Sequence, residues 1–155
     1  MRTGWLLLAI AVLIGIGVGL GGWTFVYAKG YSYLTDNPES CANCHIMDDH
    51  FDAWQKSSHK AVAGCNDCHT PHDNVMDKYY VKATNGFLHS LYFTTGDFPY
   101  PIRIRDPNHE VVEQSCRYCH ETIAATIDHG LPEGIDGAAK QDCTHCHRYV
   151  GHWVR

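Results

Sequence analysis

Eight cysteines and twelve histidines are the residues of this chain best equipped for chemistry. All eight cysteines fall into four Cys-x-x-Cys-His motifs: Cys41–Cys44–His45, Cys65–Cys68–His69, Cys116–Cys119–His120 and Cys143–Cys146–His147. Four disulfides or two zinc sites of four thiolates each would also use every cysteine. Neither explains a histidine directly after each pair. Covalent attachment of haem does, because two thioether bonds and one axial bond then come from a single pentapeptide. The spacing predicts four haem c groups.

Each haem iron has two axial positions. The motif histidines can fill one per haem, and eight others remain: His50, His59, His72, His89, His109, His129, His145 and His152. Supply exceeds demand, so counting cannot assign the second ligands. The first motif adds a further candidate, because Met47 stands two residues after His45 in CANCHIM. A thioether is a softer ligand than imidazole, and methionine ligation raises a haem's potential. On spacing, either His45 or Met47 can hold that iron.

The elements that position these residues follow from the rest of the sequence. From Trp5 to Ala28 no side chain is charged. Twenty-four residues at ~1.5 Å each span about 36 Å, enough to cross a bilayer core of roughly 30 Å. The run is longer than a signal-peptide core, which favours a retained anchor at 5–28 with residues 1–4 in the cytoplasm. Haem is attached after export, so residues 29–155 are expected in the periplasm. Glycines 15, 17, 19, 21 and 22 suit either close helix–helix approach, hence self-association, or an ordinary membrane helix.

The motifs form two pairs, giving a haem 1–2 module at 41–75 and a haem 3–4 module at 116–155. About 32 residues per haem cannot build a large ordinary core. The macrocycles must be the core, wrapped by short helices and loops in a mainly α domain. Residues 97–115, with three prolines, join the modules, and GLPEGIDG at 130–137 reads as a loop. Net charge is −5 and no basic run is present, so no nucleic-acid partner is implied.

Between the modules, 76–96 reads as an amphipathic helix at a membrane surface. Lys78, Lys82 and His89 recur near whole helical turns. Snorkelling lysines or a site for quinol oxygens both fit that pattern. Histidine's near-neutral pKa suits proton transfer at such a site.

One anchor, four Cys-x-x-Cys-His motifs and Met47 in CxxCHxM resemble the NapC/NrfH family of membrane-anchored tetrahaem quinol dehydrogenases. SYLTDNPESCANCHIMDDHFDAWQKSSH, CNDCHTPHD, VKATNGFLHSLYFTTGDF and CTHCHRYVGH are similar to the branch of that family serving cytochrome c nitrite reductase. The resemblance implies Met47 as the ligand of haem 1, displacing His45. It implies Lys82, in the KxxxG stretch, at the quinol, and puts His89 beside the distal face of haem 1. His152 matches the second ligand of haem 3 with His120, and His59 that of haem 4 with His147. Haem 2 would join His69 to a lysine of the catalytic partner. No role is implied for His50, His72, His109, His129 or His145 beyond solvent or propionate contacts.

The implied donor is menaquinol. The implied partner, in a stable complex, is the catalytic subunit of pentahaem ammonia-forming nitrite reductase, which itself reduces nitrite. The alternatives are a donor to several soluble periplasmic reductases, a partner of an octahaem hydroxylamine-oxidoreductase-like enzyme, and a small terminal reductase acting at an open haem.

Overall fold

The computed structural model describes residues 2–129 and 141–152; the expected loop at 130–137 and the side chain of His129 lie outside the described residues. Two compact units divide the chain, residues 1–35 and 36–155.

The first unit is built on α1, Arg2–Tyr27. It is long and apolar enough to cross a membrane, with a mean hydropathy of 2.3 in its most apolar window and none of that window buried. A 3₁₀ turn, Gly30–Leu34, follows. A side chain at Gly30 would collide with the ring of Phe25, so glycine allows the chain to turn closely there.

The second unit is helical throughout, with no strand among the described residues. The first motif begins in a 3₁₀ turn, Pro38–Asn43, capped by the Asn37 side chain. It is followed by α2 (Asp48–Gln55), α3 (Cys65–His69), α4 (Val75–Thr95), α5 (Asp106–Cys119), α6 (Glu121–His129) and α7 (Cys143–Cys146). Local signals set the ends of α4. The Asn74 side chain accepts the N–H of Asp77 at 2.8 Å, an N-cap, and Gly96 takes the left-handed conformation at the C-terminal end. The second half of the proline-bearing segment 97–115 is not an irregular linker. It forms α5, because Pro107 falls in the first turn, where no intrahelical bond is lost. Arg105 Nη2 and Asn108 Nδ2 both donate to Asn85 Oδ1, at 2.9 and 3.0 Å, and tie the start of α5 to α4.

A conventional core is missing among the described residues. Val111 is the one buried hydrophobic residue there, while Thr70, Lys82, Glu113 and Ser115 are buried polar ones. Burying a valine contributes about 1.5–3 kcal/mol. Ordering the backbone of a 120-residue unit costs on the order of 100 kcal/mol. Protein–protein burial cannot offset that cost, so a large apolar body other than side chains must fill the second unit.

Candidate functional site

No motif cysteine is in a disulfide. The Cys41 and Cys65 side chains are in contact, which joins the first two motifs. Cys68 lies within electrostatic reach of Cys116, and Cys116 of Cys143. Four attachment motifs spread over 107 residues thus converge on one small unit.

Two histidine pairs face one another. The ring centres of His69 and His152 are 6.0 Å apart with planes 10° from parallel. Those of His59 and His120 are 6.1 Å apart with planes at 75°. Two imidazoles that would hold one metal must lie close together, and both pairs do. His59 Nδ1 donates to the carbonyl of Val150 at 3.1 Å, which leaves Nε2 free to act as a ligand, the usual second-sphere arrangement. Burial pushes His152 down, and burial with the nearby charges of His152, His50 and His89 pushes His69 down to about 4. The buried Nδ1 atoms of His50 and His152 have no hydrogen-bond partner, and the His50 ring lies 5.2 Å from that of His152.

The sequence-based expectation sets His152 with His120 on haem 3 and His59 with His147 on haem 4; the ring neighbours in this fold are His69 with His152 and His59 with His120. The chain after α7 turns back so that His152 meets α3, and the turn after α2 carries His59 to the C-terminal end of α5. Neither path has a local sequence signal.

At the first motif the His45 side chain is fully exposed, with Nδ1 3.2 Å from Asp48 Oδ2. Met47 is half-buried. At the fourth, Glu113 on α5 reaches across to α7. Its carboxylate accepts the N–H groups of Cys143 and Thr144 at 2.8 and 3.0 Å. His109 Nε2 bonds Thr144 Oγ1 at 2.9 Å. His147, at the end of α7, is exposed. His72 stacks on Tyr118 with centres 4.5 Å apart and donates to the Asp67 carbonyl at 2.7 Å. His72 and His109 are thus committed to holding the fold.

On α4, Lys78 and Lys82 are one turn apart and converge on Asp36. Their Nζ atoms each donate to one carboxylate oxygen of Asp36 at 2.6 Å. Lys82 is 5% exposed, whereas the Asp36 side chain is 56% exposed. The Lys82 ammonium also sits 5.7 Å from the Tyr79 ring centre, a cation–π contact. Hydrogen bonds from Lys78 and then Lys82 hold the Asp36 carboxyl below its ordinary range. Sequence reasoning missed Asp36, which lies 46 residues from Lys82 and becomes its neighbour only through the fold. His89 lies two turns further along α4; burial first, then the charge of Arg105, lowers its pKa.

The family model described as NapC/NirT cytochrome c family, N-terminal region, matches residues 2–155. The chain belongs to the NapC/NirT cytochrome c family. It is 34% identical over 137 residues to the cytochrome c-type protein NrfH of Wolinella succinogenes, covering 83% of this chain and 77% of that one. It is 33% identical over 126 residues to the cytochrome c nitrite reductase subunit NrfH of Nitratidesulfovibrio vulgaris, covering 81% and 72%. Its fold resembles a chain in the crystal structure of the cytochrome c nitrite reductase NrfHA complex bound to the HQNO inhibitor. The TM-score there is 0.63 at 32% identity, with 91% of this chain and 90% of that chain covered.

As a member of a NapC/NirT c-type cytochrome family, the chain carries covalently bound haem c, and α1 is its single membrane anchor. The residues present fit the group: cysteines paired in four motifs and outside any disulfide, histidine rings about 6 Å apart, and a unit with Val111 as the one buried hydrophobic side chain among the described residues.

Proposed function

We propose that this chain is the membrane-anchored, quinol-oxidising subunit of a complex with a periplasmic, ammonia-forming cytochrome c nitrite reductase. The observation that carries the reading is the likeness, over nine-tenths of both chains, to a subunit of a nitrite reductase complex bound to HQNO. Menaquinol is the proposed donor. The N-terminus faces the cytoplasm and residues 29–155 the periplasm, where haem attachment takes place.

Four haems are held through Cys41 and Cys44, Cys65 and Cys68, Cys116 and Cys119, and Cys143 and Cys146. Haem c, when bound, supplies one-electron transfer between quinol and the partner. Met47 is the proposed ligand of haem 1, as the resemblance implies, with His45 the alternative. His69 and His152 are assigned to haem 2, and His120 and His59 to haem 3, on their separations of 6.0 and 6.1 Å. His147 then serves haem 4. The partner's lysine, implied by resemblance at haem 2, belongs in this reading at haem 4, where His147 is exposed.

Lys82 carries three N–H donors and no acceptor, so it can bind the quinol oxygens and stabilise negative charge on them. His89, two turns from Lys82 on the same helix, is the proposed proton acceptor. Co-purification from detergent-solubilised membranes tests the assembly. A multihaem nitrite reductase should stay bound through size exclusion, and a His147→Ala chain should lose one haem signal while the other three persist. Isolation of this chain alone, with quinol-dependent nitrite reduction absent from the membranes, would contradict the reading.

A further inference from the structure

The quinol assignment above names Lys82, yet Lys82 is 5% exposed and its ammonium is already bound to Asp36 at 2.6 Å. The accessible member of the pair is the carboxylate, 56% exposed. Of the three groups Asp36 is the most exposed, at 56% against 29% for Lys78 and 5% for Lys82. The chemistry of a quinol headgroup makes that order matter. A quinol presents hydroxyl groups, which are donors as well as acceptors, and an ammonium cannot accept a hydrogen bond. An ionised carboxylate accepts only, and has about four lone-pair sites. Asp36 uses one oxygen for each lysine, at 2.6 Å, and keeps capacity on both. The two ammonium groups keep it ionised and fix its orientation, while its N–H-capped neighbour Asn37 anchors the backbone: the Asn37 side chain accepts from Glu39 N at 3.1 Å.

We propose that Asp36 is a quinol-binding residue, its carboxylate accepting a hydrogen bond from a quinol hydroxyl while Lys78 and Lys82 hold it in place. This rests on the quinol-oxidising reading. It adds a specificity element: a site centred on a carboxylate favours the reduced, donor-bearing headgroup over one whose oxygens can only accept. Release of the oxidised product follows from the same chemistry, because quinone has no hydrogen to offer Asp36.

The test uses the haem-loaded protein in mild detergent, with its haems already reduced so that no electron transfer accompanies binding. Fluorescent HQNO is bound and then displaced, in parallel, by a naphthoquinol and by its dimethyl ether, which lacks both donors. The wild type should bind the naphthoquinol at least about tenfold more tightly than the ether, the discrimination expected for one hydrogen bond to a charged group. Asp36→Asn should reduce that ratio to about threefold or less, because an amide can turn its donor to the ether oxygen. Asp36→Glu should restore it. An unchanged ratio in Asp36→Asn, with binding lost in Lys82→Ala, overturns the role of Asp36 and leaves the quinol site standing. Failure of the wild type to bind HQNO or naphthoquinol at all overturns both.

Discussion

Glu113→Gln should loosen the fourth motif, and the size of the effect can be worked from the contacts. Glu113 is 8% exposed, and its two oxygens accept the N–H groups of Cys143 and Thr144 at 2.8 and 3.0 Å. Glutamine keeps one oxygen but turns an NH₂ toward the other N–H. One hydrogen bond to a charged group, worth about 1.5–3 kcal/mol, is lost, and a poorly exposed donor is left without a partner. The combined loss is about 2–4 kcal/mol, a large share of a typical domain's 5–15 kcal/mol. For a unit of this size that corresponds to a fall of about 10 °C in unfolding temperature. The assay is thermal unfolding of the haem-loaded protein in detergent, read at the haem band, beside a haem count per chain. A midpoint within about 2 °C of wild type would refute the claim that Glu113 holds α7 to α5.

Four further outcomes follow from the site. His152→Ala should convert one low-spin haem to another spin state, and His59→Ala a different one; electron paramagnetic resonance separates them, and loss of the same signal in both would undo the pairing. Met47→His should change the haem 1 spectrum, whereas His45→Ala should leave it in place; the reverse result would return that iron to His45. Lys82→Ala should lower quinol turnover at least about tenfold while dithionite still reduces every haem, and unimpaired turnover would remove Lys82 from the site. The Asp36 ion pairs give a pH signature. The folded pKa lies below its ordinary 3.8, so the stabilisation is fully present above that value and is lost as pH falls through the lower, folded pKa. Acid unfolding of wild type should therefore steepen below about pH 4 relative to Asp36→Asn, and identical acid limbs would show that the pairs contribute nothing.

Much of this was legible in the residues. The four pentapeptides fixed the attachment points by chemistry alone, and the uncharged run from Trp5 to Ala28 marked α1 by length and composition. The ends of α4 were written locally in Asn74 and Gly96. The ring neighbours of His59 and His152 were not. Twelve histidines are chemically equivalent in a sequence, and only the return of the chain past α7 and α3 distinguishes them. Asp36 and Glu113 escaped for a related reason. Each acts on groups at least 30 residues away, where no periodicity or spacing rule reaches. The prolines of 97–115 did not by themselves reveal α5, because Pro107, at a helix start, begins a helix as readily as proline elsewhere ends one.

The most direct test of the account is anaerobic and spectroscopic. The chain is purified in mild detergent with its bound partner, a reduced menaquinone analogue is added, and the haem spectrum is followed before and after nitrite. The account predicts haem reduction by the quinol, blocked by HQNO and reversed by nitrite. Haems that stay oxidised with quinol but reduce fully with dithionite, in a complex whose anchor and haem content are intact, would contradict it.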